Sequence, residues 1–513
     1  MVRARRAHAV GAERRLRGLL CALTLLVALL AAGAPTASAD SFESEREAAL
    51  ALGTEAYEYA EPLLDSVRIY RSITSVKVPT DFGSAPFNQF SHFKALATEK
   101  EGCVVAPNAD TLYSIAVLKL KSQPIVMHVP ATDRFSIAEL LSPYTENFAL
   151  LGQGGSNFLA PGDYIIAGPG QLEGLEEADG LKIVHSPYEQ AWVIARTLVK
   201  GPSDVANALA VEEARKLVPL KKWLRFGDAY EPKPRGSTVT EGKCSTVPGT
   251  SPGESTKPYW KAVSKALLQF PPPAADEPLL ERLAAVHIGP GMTPSSANDS
   301  PGTLRGLEQA VHEGPGAVNL NARAALEAGF QAHNGWLVGD VGSYGTNYKL
   351  RAIADRLGLG APTPNQAIYP VALTDRNFSP LSGASTRYVA HFPASDFPVP
   401  VQSFWSLTMY DSEGLFVPNA LGRFTLGDRS DLHFNEDGSL DVYLQRAEPA
   451  GEAQRANWLP APSGAFHLIL RLYGPFEEAI PTILAGGEGA WQPPTILPCL
   501  SGGKTAAGTD CAE

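Results

Sequence analysis

The run FHLILRLY, Phe466 to Tyr473, places Phe466, Leu468, Leu470 and Leu472 on one face of an extended chain and His467, Ile469, Arg471 and Tyr473 on the other. Strict alternation of this kind specifies a strand with one apolar face, and such a strand needs antiparallel partners. Partners are at hand in Thr386 to Phe392, Ser403 to Tyr410 and Ser439 to Gln445. Asp437-Gly438, between two alternating runs, is the strongest hairpin signal in the chain. The expected product over residues 386–498 is a jelly-roll-like β-sandwich. Helical patterns over Tyr259 to Gln269, Pro278 to Val286, Thr303 to Glu313 and Ala317 to Ala332 predict a helical subdomain, residues 259–385, packed beside it.

The first half reads differently. A helix is expected from Ser44 to about Ser66, kinked or restarted at Pro62. Strands are expected at Ile115 to Leu120, Pro124 to Val129, Phe135 to Leu141, Asp163 to Ala167 and Leu181 to His185. Trp192, Ala195, Arg196 and Val199 then recur at helical spacing, and Ser203 is placed to cap a further helix through Lys216. This gives an N-terminal α+β domain over residues 40–227. Residues 228–258, rich in Pro, Gly, Ser, Thr and Lys, read as a linker or long loop. The chain as a whole is expected to be α+β and β-rich, with a tail over 499–513.

Residues 1–39 carry arginines, an apolar run from Leu19 to Ala32 and Ala37-Ser38-Ala39, the pattern of a cleaved signal peptide. The expected location is extracellular or periplasmic, with mature protein starting at Asp40. The apolar run falls short of the roughly 20 residues of a membrane span, and no later stretch reaches that length without charge or proline. The leader removes six arginines and one glutamate. From 43 basic and 54 acidic residues this leaves 37 against 53, a net charge of −16. With no basic run after residue 39, nucleic acid and anionic membrane are not expected partners. Self-assembly into a homo-oligomer stays open. Of Cys103, Cys244, Cys499 and Cys511, proximity favours a bridge between the last two, which would pin a Gly-rich tail.

AYEYAEPLL (Ala56 to Leu64), PNADTLYS, PYTENFALLG (Pro143 to Gly152) and ARTLVKGPSD (Ala195 to Asp204) resemble the N-terminal half of a bacterial two-domain family. YGTNYKLRA, FWSLTMYD, GRFTLGD, NEDGSLDVYLQ, NWLPAP and LILRLYGP resemble its C-terminal half. The family is known as domain of unknown function 1254 followed by domain of unknown function 1214. The resemblance implies a β-rich N-terminal domain and a jelly-roll-like C-terminal domain, with no settled activity.

No HExxH or Walker motif is present, and GQGGSNF (Gly152 to Phe158) lacks the βαβ setting of a dinucleotide fingerprint. The nine histidines after the leader show no i, i+4 pair, so neither a metal nor another cofactor is expected. What remains are polar and aromatic residues at strand ends. Asp110, Tyr113 and Arg196 are the candidates for catalysis: Asp110 would serve as acid or base, with Tyr113 or Arg196 stabilising developing charge. Asn108, Thr111, Tyr144, Asn147, Trp405, Tyr410, Arg423, Asn457, Trp458 and Arg471 are the candidates for ligand binding, and Tyr344, Tyr348, Asn419 and Tyr473 belong to the same set of polar and aromatic residues. Structural roles compete with each. Asn457-Trp458 can be a turn and core anchor, Arg423 and Arg471 can pair with Asp411 or Asp428, and Asp110-Thr111 can cap a turn.

Two classes of function follow. One is binding of a small polar or carbohydrate-like ligand, in a pocket of the N-terminal domain or between domains. The other is a metal-independent hydrolase or lyase built on Asp110 and Tyr113. The polar cluster Asn108 to Tyr113 is expected to share a pocket with Tyr144, Asn147 or Arg196. Asp110→Asn is then expected to abolish ligand binding or turnover while shifting stability by less than about 1 kcal/mol.

Overall fold

The computed structural model describes residues 37–100, 106–154, 158–171, 181–230, 256–329, 333–500, 503–505, 509 and 511. The expected leader up to residue 36, Cys103, Cys244 and most of the expected linker lie outside these.

The chain opens with helix α1, Ala37–Ile73, which runs unbroken through Pro62. An interior proline costs about 3 kcal/mol in a helix. Here Tyr57, Tyr59, Leu63, Leu64 and Tyr70 are buried on either side of it, and that packing holds the helix together where the sequence suggested a break. A second long helix, Pro301–Gly329, likewise continues through Pro315, so the two helices expected at Thr303 to Glu313 and Ala317 to Ala332 are one. It lies directly on α1 because Gly306 has no side chain. A Cβ there would stand 2.3 Å from the carbonyl oxygen of Arg46. Three shorter helices, Lys257–Gln269, Glu277–Ala284 and Tyr348–Gly358, complete this layer.

The N-terminal β-structure has two sheets. The first contains β1 (Ser91–His92), β2 (Thr111–Lys119), β4 (Ser136–Leu141), β5 (Asn147–Gln153) and β8 (Gln190–Leu198), in the order β1-β2-β8-β4-β5, all antiparallel. The second contains β3 (Ile125–Val129), β6 (Gly162–Ala167), β7 (Lys182–His185) and β9 (Lys216–Pro219), in the order β7-β6-β3-β9. Ala116, Leu118, Met127, Leu140, Ile166 and Val193 pack between them. The opposite face of the first sheet carries Ile115, Val117 and Ile194 into the helical layer.

β8 corrects the helix expected around Trp192 to Val199. The strand lies between two others and is buried on both faces, so its apolar residues fill nearly every position. The helical spacing among them was incidental. The helix expected from Ser203 runs from Val205 to Ala214, and Lys216 already belongs to β9.

Two more sheets form the C-terminal sandwich. One has the order β10-β17-β13-β14, built from Ala367–Ile368, Phe466–Pro475, Val401–Asp411 and Thr425–Gly427, with β11 (Val371–Ala372) also on β17. The other has the order β16-β15-β12-β18, built from Trp458–Pro460, Leu440–Gln445, Tyr388–Phe392 and Thr495–Pro498. Phe466, Leu468, Leu470 and Leu472 face the interior of this sandwich, as their alternation requires. Asp437-Gly438 does form a tight turn, with Gly438 at φ 83°. It does not close a local hairpin, because β15 pairs with β12 some fifty residues earlier in the chain. Cys499 and Cys511 are bridged, with a Cα separation of 6.0 Å.

His92 gives this fold a pH dependence. Its Nδ1 lies 2.7 Å from the Ser114 hydroxyl, and burial, aided by the charge of Arg215, holds its pKa down to about 4 against an ordinary 6.5. The unfolded chain therefore takes the proton first. The stability associated with neutral His92 is complete above pH 6.5 and is lost as the pH falls from there towards about 4. Urea midpoints measured at pH 7 and pH 4.5 are expected to drop less for His92→Gln than for the unaltered protein. Equal drops would remove His92 as a cause.

Candidate functional site

The outward face of β17, which carries Ile469, Arg471 and Tyr473, does not face water. Together with Phe404, Ser406, Thr408 and Tyr410 on the same side of β13, it packs against the N-terminal domain. Phe135, Ile137 and Leu198 meet Phe404 and Tyr473 there, and the Phe135 ring lies 5.1 Å from that of Tyr473. The seam between the two sandwiches is thus aromatic on one flank and strongly polar on the other.

Residues 106–110 reach into the C-terminal sandwich from the mouth of β2. The Ala106 amide donates to the Gly414 carbonyl, the Pro107 carbonyl accepts from the Tyr410 hydroxyl, and Asn108 Nδ2 donates to the Tyr473 hydroxyl. Asp110 is buried and has both oxygens in use. Oδ2 accepts from Ser406 Oγ at 2.6 Å and Oδ1 from Arg429 at 2.6 Å, while Asn108 Oδ1 accepts from the Asp110 amide. Arg429 is held in turn over the Phe404 ring at 4.3 Å and pairs also with Asp428. This PNAD segment is a hook between domains.

Arg471 lies beside the hook. Its guanidinium donates to Thr408 Oγ1 at 2.9 Å, to the Tyr410 hydroxyl at 2.7 Å and to the Ala106 carbonyl at 3.2 Å, and its Nε finds no acceptor. No carboxylate pairs with it among the described residues, which corrects the ion pair with Asp411 or Asp428 considered above. Asp411 uses its carboxylate to cap the turn at Glu413 and Leu415. The Arg471 Cζ stands 5.3 Å from the Tyr369 ring, and the Tyr369 hydroxyl donates to that of Tyr473 at 3.2 Å. Tyr369 was not singled out from the sequence. Its signal is weak, since it is one residue between two very short strands.

Tyr113 and Arg196 are cross-strand neighbours on β2 and β8, with the guanidinium 5.5 Å from the ring. Arg196 is buried. It pairs with fully buried Glu139 on β4 and donates to the Gly360 carbonyl at 3.1 Å, while its Nε has no acceptor. Gly360 can come this close only as a glycine: it sits at φ 79°, and a Cβ would meet Ile194 at 2.6 Å. Burial pushes the Glu139 carboxyl up against the pull of Arg196. Burial also pushes the Tyr369 phenol up, against the pull of both Arg196 and Arg471. Tyr113 and Tyr369 are only half-buried, whereas Arg196, Arg471, Tyr410 and Tyr473 around them are sealed.

The other candidates lie elsewhere. Tyr144 is buried in the helical layer, its hydroxyl donating to the Phe270 carbonyl and its ring 5.7 Å from Arg351. Tyr344 and Tyr348 belong to that side too, and Tyr348 donates to Asp276 at 2.9 Å. Asn147 donates to the Gly342 and Ala361 carbonyls. Thr111 is buried at the start of β2. Trp405 points into the C-terminal core. At the far edge, Arg423 donates to the carbonyls of Arg455 and Trp458, Asn419 closes its own turn around Arg423, Asn457 bridges His433 and Asp441, and the Trp458 indole donates to Gln445. These side chains bind backbone.

An open cleft of about 400 Å³ lies on the same seam, lined by Asp133, Arg134, Phe135, Gln153, Lys200 and Ser403 among others. Arg134 is held there by Asp204 at 2.5 Å. Among the described residues no three His, Cys, Asp or Glu side chains come together in a way that could hold a metal ion. No helix in them is long and apolar enough to cross a membrane.

Comparison with solved structures finds similarity to the VPA0106 protein of Vibrio parahaemolyticus, 22% identical, at a TM-score of 0.58 over 88% of this chain and 100% of that one. A putative uncharacterized protein of Burkholderia cenocepacia matches at 12% identity and a TM-score of 0.39, over 90% of this chain and 94% of that one. No curated protein matches. Residues 87–219 match the family described as DUF1254, and residues 366–477 match the one described as protein of unknown function (DUF1214). The chain therefore carries a DUF1254 domain followed by a DUF1214 domain, the arrangement of that two-domain family.

Proposed function

We propose that the chain is an exported protein that binds a small polar or carbohydrate-like ligand at the seam between its two β-sandwiches, around Tyr113 and Tyr369. One observation carries this reading: among the sealed side chains of Arg196, Arg471, Tyr410 and Tyr473, these two tyrosines stay half-buried beside two guanidiniums whose Nε groups lack acceptors. Unpaired N–H donors in a buried setting cost free energy, and sites for polar ligands are where such donors are kept. Aromatic faces beside fixed polar groups suit a ring-bearing polar molecule. The leader pattern of residues 1–39 supports export.

Catalysis by Asp110 is the weaker reading. A general base needs an oxygen free to take a proton, and Asp110 would first have to release Ser406 or Arg429.

An untargeted metabolite pull-down with the purified mature protein tests the proposal. Compounds retained by the unaltered protein are expected to be lost from the Tyr113→Ala and Tyr369→Ala variants. Retention unchanged in both variants would place binding elsewhere.

A further inference from the structure

We infer that the ligand of this seam carries a carboxylate, received by Arg471. The inference rests on the binding reading above and adds the charge of the molecule bound. Arg471 is 3% exposed and makes three hydrogen bonds from its two terminal nitrogens, yet all three partners are neutral: a threonine hydroxyl, a tyrosine hydroxyl and a backbone carbonyl. A guanidinium withdrawn from water normally sits against a carboxylate, because burying the charge alone costs several kcal/mol. The other buried arginines among the described residues follow that rule. Arg196 has Glu139, Arg215 has Glu212 and Arg351 has Glu146. Asp110, the carboxylate nearest to Arg471 along the hook, is taken by Arg429 and Ser406.

The absent carboxylate contact and the missing acceptor fall on the same side chain, since the Nε of Arg471 is left unbonded. The half-buried Tyr369 ring lies 5.3 Å from this guanidinium, and the half-buried Tyr113 ring lies 5.5 Å from that of Arg196, whose Nε is unbonded as well. A guanidinium with no carboxylate in contact, and an unbonded Nε on each of two arginines, suit a monoanion with two oxygens. A phosphate, with up to two charges at neutral pH, brings more negative charge than one guanidinium without a carboxylate contact matches.

Calorimetric titration of the full mature chain with a series of small aliphatic and hydroxy monocarboxylates, their primary amides and inorganic phosphate tests this. The acids are expected to bind and the matching amides to bind at least tenfold more weakly. Arg471→Met is expected to lose at least tenfold in affinity for the acids, while Arg471→Lys, which keeps the charge, recovers part of it. Circular dichroism of both variants checks that they fold, and if Arg471→Met does not, the comparison of acids with amides on the unaltered protein decides alone. Amides that bind as tightly as acids, tighter binding of phosphate, or no binding of any acid would overturn the inference. Binding of amides that disappears in Tyr369→Ala would leave the seam as a ligand site without the carboxylate.

Discussion

Replacing Arg196 by methionine is expected to destabilise the protein by about 3–5 kcal/mol, the range for removing one partner of a buried ion pair. Glu139 is fully buried, and Arg196 is its charged partner. Without the guanidinium the carboxylate must either remain charged in a low-dielectric interior or take up a proton, and burial already pushes its pKa upward. The Gly360 carbonyl loses a donor at the same time. The double variant Arg196→Met, Glu139→Met is expected to recover most of the loss, since an apolar pair of similar volume removes the stranded charge. Urea unfolding of both variants measures this. A single variant within 1 kcal/mol of the unaltered protein would mean that water reaches Glu139.

Much of the architecture is legible in the sequence. The alternation in Phe466 to Tyr473 assigned its apolar face to the core correctly. The short strands of the first half appeared close to where their β-branched and apolar residues put them. Errors came where tertiary packing overrode local signals. β8 mimicked a helix because a strand buried on both faces loses its alternation, and Pro62 and Pro315 failed to break helices whose long contact outweighs a lost hydrogen bond.

The site was legible only in part. Asn108, Asp110, Tyr113, Arg196, Tyr410 and Arg471 do come together, because strand ends from both domains converge on one seam. That convergence joins residues some 300 positions apart, which no spacing can reveal. Arg429 and Tyr369 were missed for that reason. Arg423, Asn457 and Trp458 look the same in sequence, yet their polar atoms are consumed by backbone: a motif records residue type and order, and the partner that decides a side chain's role lies outside it.

Asp110→Asn is expected to cost about 2–3 kcal/mol, well above the shift of under about 1 kcal/mol that its position at a strand mouth suggested. The amide keeps one oxygen for the Ser406 hydroxyl but turns an NH₂ towards Arg429, so a charge-assisted bond becomes a contact between two donors. The effect stays below that of the Arg196 variant because Arg429 is 20% exposed at its side chain and can turn towards water and Asp428, whereas Glu139 has no such escape. Since the pair joins the two domains, its loss should loosen the seam as well as lower stability. A double-mutant cycle of Asp110→Asn with Arg429→Met separates the pair from its surroundings. A coupling of at least about 1 kcal/mol is expected for a charge pair with one buried partner. Coupling near zero, with Asp110→Asn still costly, would assign the loss to Ser406 and to the turn at Asn108. The hook would then hold the domains through its backbone rather than through its carboxylate.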